Sequence, residues 1–232
     1  MEIKSTKNYA YENGIKLLVY GEAGSGKTRL CATTGGTPLI LSAESGLLSL
    51  SECNLDYIEV DSIETLREAY TFALNSKDAK KYDWICLDSI SEIAEVCMSS
   101  LKKKYSDPKY TFKIWGDLAD TMILLIKSFR DLSEMNVYMS SKSECEKDDV
   151  ANVFHYTPSL PGKKLKNDID YLFDEVFFLS KVIDDEKKVK SMLHTKDGFN
   201  FRAKDRSGAL DLIEEPNLKK IHDKIKGHLV ND

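Results

Sequence analysis

The segment Gly21-Glu22-Ala23-Gly24-Ser25-Gly26-Lys27-Thr28 constrains this chain more than any other. It has the spacing G-x-x-x-x-G-K-[ST], with an apolar run, Lys16–Tyr20, before it and helix-compatible residues, Lys27–Thr33, after it. Each residue type answers a need. Glycines let backbone N–H groups curl around a phosphate without Cβ clashes, and the helix start adds positive dipole. A lysine at the position of Lys27 reaches β- and γ-phosphates, and a hydroxyl at Thr28 ligates Mg²⁺. The segment therefore predicts binding of ATP with Mg²⁺ through Gly21, Glu22, Ala23, Gly24, Ser25, Gly26, Lys27, Thr28 and the adjoining Arg29.

A loop of this kind needs a strand–loop–helix setting, and the rest of the chain offers more of the same. Pro38–Ser42, Tyr57–Val60, Asp83–Leu87 and Asn136–Ser141 read as short apolar strands. Ile63–Asn75, Ser89–Lys104, Gly116–Met135 and Asn217–Leu229 read as helices. Glu175–Lys181 and Lys187–His194 read as two late strands around the acidic turn Asp184-Asp185-Glu186. Strands that are nearly all apolar and alternate with helices predict a mainly parallel sheet covered on both faces. No repeat or Pro/Gly/Ser-rich linker divides the 232 residues, so one α/β domain over 1–232 is expected.

Composition narrows the function classes. With 33 Lys+Arg against 38 Asp+Glu, the net charge of −5 excludes a generally basic nucleic-acid binder, and 42% hydrophobic residues exclude wholesale disorder. No apolar run approaches a membrane span, and the first residues lack the apolar stretch of a secretion signal. The five cysteines form no CxxC pair and read as reduced thiols, so a cytoplasmic location is expected. The four histidines lack metal-ligand spacing.

Hydrolysis of a nucleotide needs carboxylates. Asp88 ends the strand in WICLDS and is expected to hold the metal through water; its other reading is the N-cap of the helix that starts near Ser89. The residue after it is Ser89, so a water-activating carboxylate must come from elsewhere. Glu44, just past the second strand in LILSAESG, is the first candidate. Glu92, inside the following helix, comes second, and Glu22 reads as solvated.

The order GEAGSGKT, ILSAES, WICLDS is similar to RecA-type ATPase cores. It resembles more closely the phage nucleotide-binding proteins of this size, some of which act as single-strand annealing proteins in recombination. The resemblance extends through Tyr171–Val176, the Lys196 segment and Ala203–Arg206. It implies a RecA-like P-loop NTPase core with Glu44 catalytic. It also implies a ring or filament of identical subunits in which Lys204 and Arg206 reach the neighbour's nucleotide. RecA has Asn-Gln after the strand equivalent to Val137–Ser140, where this chain has Ser140, Ser141 and Lys142; Ser141 or Lys142 is left as the sensor.

Two basic stretches suggest where DNA would lie. Leu101–Lys113 (LKKKYSDPKYTFK) interleaves Lys102, Lys103, Lys104 and Lys109 with Tyr105, Tyr110 and Phe112, the mix of phosphate-binding and stacking groups that single strands use. Pro161–Lys166, with Lys163 and Lys164, reads as a second basic patch in an irregular stretch, Ser143–Asp170. The expected function is thus a Mg-dependent, DNA-stimulated ATPase that binds single-stranded DNA and promotes annealing or recombination, with a single-strand binding protein as a further partner and no membrane. The rivals are a nucleoside or nucleotide kinase and an ATP-dependent switch without DNA activity.

Overall fold

The computed structural model describes residues 14–44, 46–148, 152–183 and 186–231. Its centre is a sheet whose parallel strands are β1 (Lys16–Gly21), β2 (Pro38–Ser42), β3 (Asp56–Glu59), β4 (Trp84–Asp88), β5 (Asn136–Asp148) and β7 (Glu175–Ile183). Antiparallel strands complete it: β6 (Val153–Pro158) on β5, and β8 (Val189–His194), β9 (Lys204–Asp205) and β10 (Ile213–Glu214) beyond β7. The order across the sheet is β10-β8-β7-β1-β5-β4-β2-β3. This is the mixed α/β, mostly parallel arrangement expected, a RecA-like P-loop NTPase core.

Every residue of β1, β2 and β4 is buried, because both faces are covered. The period of two sorts them. Leu18, Tyr20, Leu39, Leu41, Ile85 and Leu87 face a layer built from α2 (Ile63–Asn75), α3 (Ile90–Lys104), α4 (Thr111–Arg130) and α5 (Lys163–Asp168). Leu17, Val19, Ile40, Trp84 and Cys86 face the other layer, made by α1 (Lys27–Leu30) and α6 (Leu218–Asn231), which contributes Leu218, Ile221 and Ile225. Among the described residues no helix is long and apolar enough to cross a membrane.

Several boundaries differ from the sequence expectation. The long helix runs Thr111–Arg130, not Gly116–Met135. Asp107 caps a 3₁₀ turn at Pro108–Tyr110 by accepting from the Lys109 N–H at 3.0 Å, and that turn runs straight into α4. At the other end, the Leu132 and Met135 carbonyls turn to the buried Lys16 ammonium at 2.7 and 2.6 Å. The stretch Ser143–Asp170 is also not irregular. β5 continues to Asp148 and pairs antiparallel with β6, and Lys163 and Lys164 open a short helix instead of lying in a loop. Local sequence missed this pairing because each strand exposes polar residues and lacks a buried run. The turn residues Asp184 and Asp185 lie outside the described residues.

Parallel strands all end at one edge, and the register brings four ends together. Gly21 pairs with Lys142, and Ser42 pairs with Asp88. That edge carries the site.

Candidate active site

The loop after β1 is shaped by its glycines. Gly26 has φ 110, which a side chain would strain, and a Cβ on Gly21 would lie 2.4 Å from the Leu179 carbonyl oxygen of the neighbouring strand. The Lys27 ammonium folds back into the loop and donates to the Gly21 and Glu22 carbonyls, both at 2.8 Å. Burial there lowers its pKa, against the pull of Asp88 and Glu44, which favour the charged form. The Tyr138 hydroxyl holds the backbone behind it, donating to the Lys27 carbonyl at 2.8 Å.

Asp88 is 3% exposed and is held from two sides. The Thr28 hydroxyl donates to Oδ2 at 2.7 Å, and the Ser140 hydroxyl donates to Oδ1. The helix cap is Ser89 instead: its Oγ accepts from the Glu92 N–H at 3.4 Å, so the Asp88 carboxylate is free to face the loop. The Ser89 hydroxyl donates in turn to Glu44 Oε1 at 3.1 Å, and Ser42 Oγ donates to the Glu44 carbonyl at 2.6 Å. Both contacts position Glu44 on the cavity wall.

A cavity of about 550 Å³ lies between these groups, lined among others by Lys27, Thr28, Glu44, Asp88 and Lys142. Buried carboxylate and hydroxyl oxygens side by side are the hard donor set that a magnesium ion takes, directly or through water, so Thr28 and Asp88 fit one. Arg29 reaches the cavity wall but commits its guanidinium to the Ser49 carbonyl at 2.9 Å.

The end of β5 separates the two sensor candidates by strand alternation. Tyr138, Ser140 and Lys142 share one face, touching Lys27, Asp88 and the cavity respectively. Ser141 points the other way, 3.0 Å from Ser91 Oγ. Lys142 bonds the carboxylate of Glu92, which raises the lysine's pKa and occupies Glu92. Sequence reading did not single out Tyr138, Ser140 or the Ser89–Glu44 contact. The alternation of Tyr138, Ser140 and Lys142 along one strand was the available signal for the first two.

Lys204 and Arg206 lie away from this chain's own loop. β9 pairs with Glu175 and Val176 at the start of β7, whereas Gly21 pairs with Leu179 in the middle of that strand. The Lys204 ammonium is turned inward, donating to the Asp170 carbonyl and, at 2.6 Å, to the Phe173 carbonyl. Arg206 is half exposed and pairs with Asp174 at 3.0 Å.

The two basic stretches converge. Lys164 pairs with Asp120 of α4 at 3.1 Å, and Gly162 lies beside the Trp115 ring, so the start of α5 sits against the first half of α4. Around that junction Phe112 is 91% exposed and Trp115 46%. Lys104 and Lys113 lie over the Tyr105 ring at 5.2 and 5.0 Å, and Lys109 over Tyr110 at 4.9 Å. Lys102, Lys103 and Lys163 are exposed.

Sheet and loop together define a P-loop NTPase core. The chain belongs to the AAA domain family, whose sequence profile matches residues 13–207. No curated protein matches it significantly. Among solved structures it is similar to a KaiC-like protein from the hyperthermophilic archaeon Pyrococcus horikoshii OT3, at 13% identity and a TM-score of 0.42, covering 78% of this chain and 77% of that one.

Proposed function

We propose that this chain binds ATP with Mg²⁺ in the cavity between the loop and Glu44 and hydrolyses it. The observation that carries the proposal is the Thr28–Asp88 contact at 2.7 Å, with Glu44 and Lys142 on the walls of the same cavity. The loop's N–H groups and the Lys27 ammonium bind the phosphates, the ammonium exchanging its two carbonyl partners for phosphate oxygens. Thr28 and Asp88 would hold the magnesium ion, Asp88 through water; a bound cation neutralises charge on the phosphates. Glu44 orients a water toward the γ-phosphorus and takes its proton as the bond to ADP breaks. Lys142 is the sensor of choice over Ser141, because it faces the cavity.

We further propose that the ATPase works on single-stranded DNA, in annealing or recombination, as a homo-oligomer. The supporting observation is that the start of α5, with Lys163 and Lys164, packs beside Trp115 on α4, the helix that carries the exposed Phe112 and that follows Lys102–Lys104 and Lys109 in the chain. Arg206, not the inward-turned Lys204, is the residue able to reach a neighbour's nucleotide. ATP turnover with and without single-stranded DNA, for wild type and Lys27→Ala, tests this. DNA-stimulated phosphate release that Lys27→Ala abolishes supports it. Phosphoryl transfer to a nucleoside points to a kinase, and binding without turnover to a switch.

A further inference from the structure

The hairpin of β7 and β8 extends past the end of β1 and lies along the phosphate loop. Leu179, the β7 partner of Gly21, pairs with Leu193, and both are buried in the layer of α1 and α6. Two residues further along each strand, Lys181 and Ser191 pair with each other. By the period of two they continue the same row on the same face. That row no longer meets a helix; it meets the loop. Ser191 Oγ donates to the Ser25 carbonyl at 2.8 Å. The Lys181 ammonium lies 3.6 Å from where a Cβ of Gly24 would stand.

These contacts fall on the flank of β1 away from the metal side. Thr28, Asp88 and Ser140 mark the γ-phosphate end, on the β5 and β4 flank. β7 borders β1 on its other side. A triphosphate laid across the loop with its γ end at Asp88 and Glu44 therefore directs its α- and β-phosphates toward the hairpin. From these positions we propose that Lys181 is a second nucleotide-binding cation, acting on the α/β part of the phosphate chain. Ser191 is a positioning residue that ties the hairpin to the loop backbone, so the ammonium is presented from a strand and not from a free loop. This rests on the reading of the cavity as an ATP site.

The test is calorimetric titration of the full chain with Mg·ADP and with a non-hydrolysable Mg·ATP analogue. Losing one charge-assisted phosphate contact weakens binding by about tenfold. Lys181→Met, which keeps the alkyl stem, should weaken ADP and the ATP analogue by the same factor, and Lys181→Arg should restore most of the loss. Ser191→Ala should weaken both nucleotides in parallel, by less. Unchanged affinities in Lys181→Met, with wild-type binding intact and lost in Lys27→Ala, would overturn this inference and leave the ATP site standing. Weakening confined to the ATP analogue also overturns it, since the ammonium would then serve the γ-phosphate. A wild type that binds neither nucleotide overturns the ATP reading itself.

Discussion

Thr28 and Asp88, 60 residues apart in sequence, meet through a hydrogen bond of 2.7 Å between the Thr28 hydroxyl and Asp88 Oδ2. The contact joins the end of the β1 loop to the end of β4 across the intervening strand β5, which supplies Ser140 to the other carboxylate oxygen. If this pair is the metal position, Asp88→Asn should keep the fold, since its amide oxygen accepts from one hydroxyl and its NH2 donates to the other. It should nevertheless lower ATP turnover by at least about a hundredfold. Phosphate release across a magnesium titration, beside a melting curve, checks both halves.

Glu44→Gln removes the proton acceptor but keeps the hydrogen bond from Ser89. Turnover should fall by about 10²–10⁴, the range for a lost general base, while nucleotide affinity stays within about threefold. A variant that hydrolyses ATP at the wild-type rate assigns the water to another group, with Glu92 next because it lies one ion pair from the cavity through Lys142.

Lys204 and Arg206 should separate. Lys204→Ala strips the donor from two backbone carbonyls and should lower stability by about 1–3 kcal/mol in chemical denaturation. Arg206→Ala breaks an exposed ion pair worth at most about 1 kcal/mol, so it should fold normally. If the arginine acts on a neighbour's nucleotide, Arg206→Ala should still bind ATP while hydrolysis collapses. Unaltered turnover at concentrations where wild type assembles counts against a role in trans.

Charge reversal of Lys102, Lys103 and Lys104 to Glu should weaken binding to a single-stranded oligonucleotide and flatten its dependence on salt, because fewer counterions are released. Phe112→Ala should weaken binding without changing the salt slope, since stacking carries no ion release. Anisotropy titrations at several salt concentrations distinguish the two.

Glu175 provides a pH test of stability. Its side chain is buried, Oε1 accepts from the Ser207 N–H at 3.2 Å, and Oε2 has no hydrogen-bond partner among the described residues. Burial, with the Asp205 and Asp174 carboxylates nearby, pushes its pKa up to about 8. The folded chain thus keeps a proton that the unfolded chain has released. The stabilisation is complete below the usual glutamate range and is lost as pH rises through about 8. Glu175→Gln should remove this loss. Its melting temperature should exceed that of wild type at pH 9 by the equivalent of at least about 1 kcal/mol, with the advantage shrinking at pH 6.

Much of this is legible in the residues alone. Segments buried on both faces are apolar along nearly their whole length, so Lys16–Tyr20, Pro38–Ser42 and Asp83–Leu87 stand out as strands. A loop that cradles phosphate must have glycines and a lysine at set spacings, so Gly21–Thr28 declares itself. Tertiary structure decided the rest, because it depends on which residues distant in sequence become neighbours. Alternation along β5 turned Lys142 toward the cavity and Ser141 away from it. Pairing between β5 and β6 ordered a stretch that has no local signal. Packing of α5 on α4 joined two basic patches, Leu101–Lys113 and Pro161–Lys166, that are far apart in the chain. Lys204, a charged residue in a polar context, was drawn inward by two carbonyls that no spacing announces. The hairpin of β7 and β8 acquired its place beside the loop only because Leu179 pairs with Gly21. Backbone shape and burial leave their mark in local residue types; the meeting of two side chains across a sheet does not.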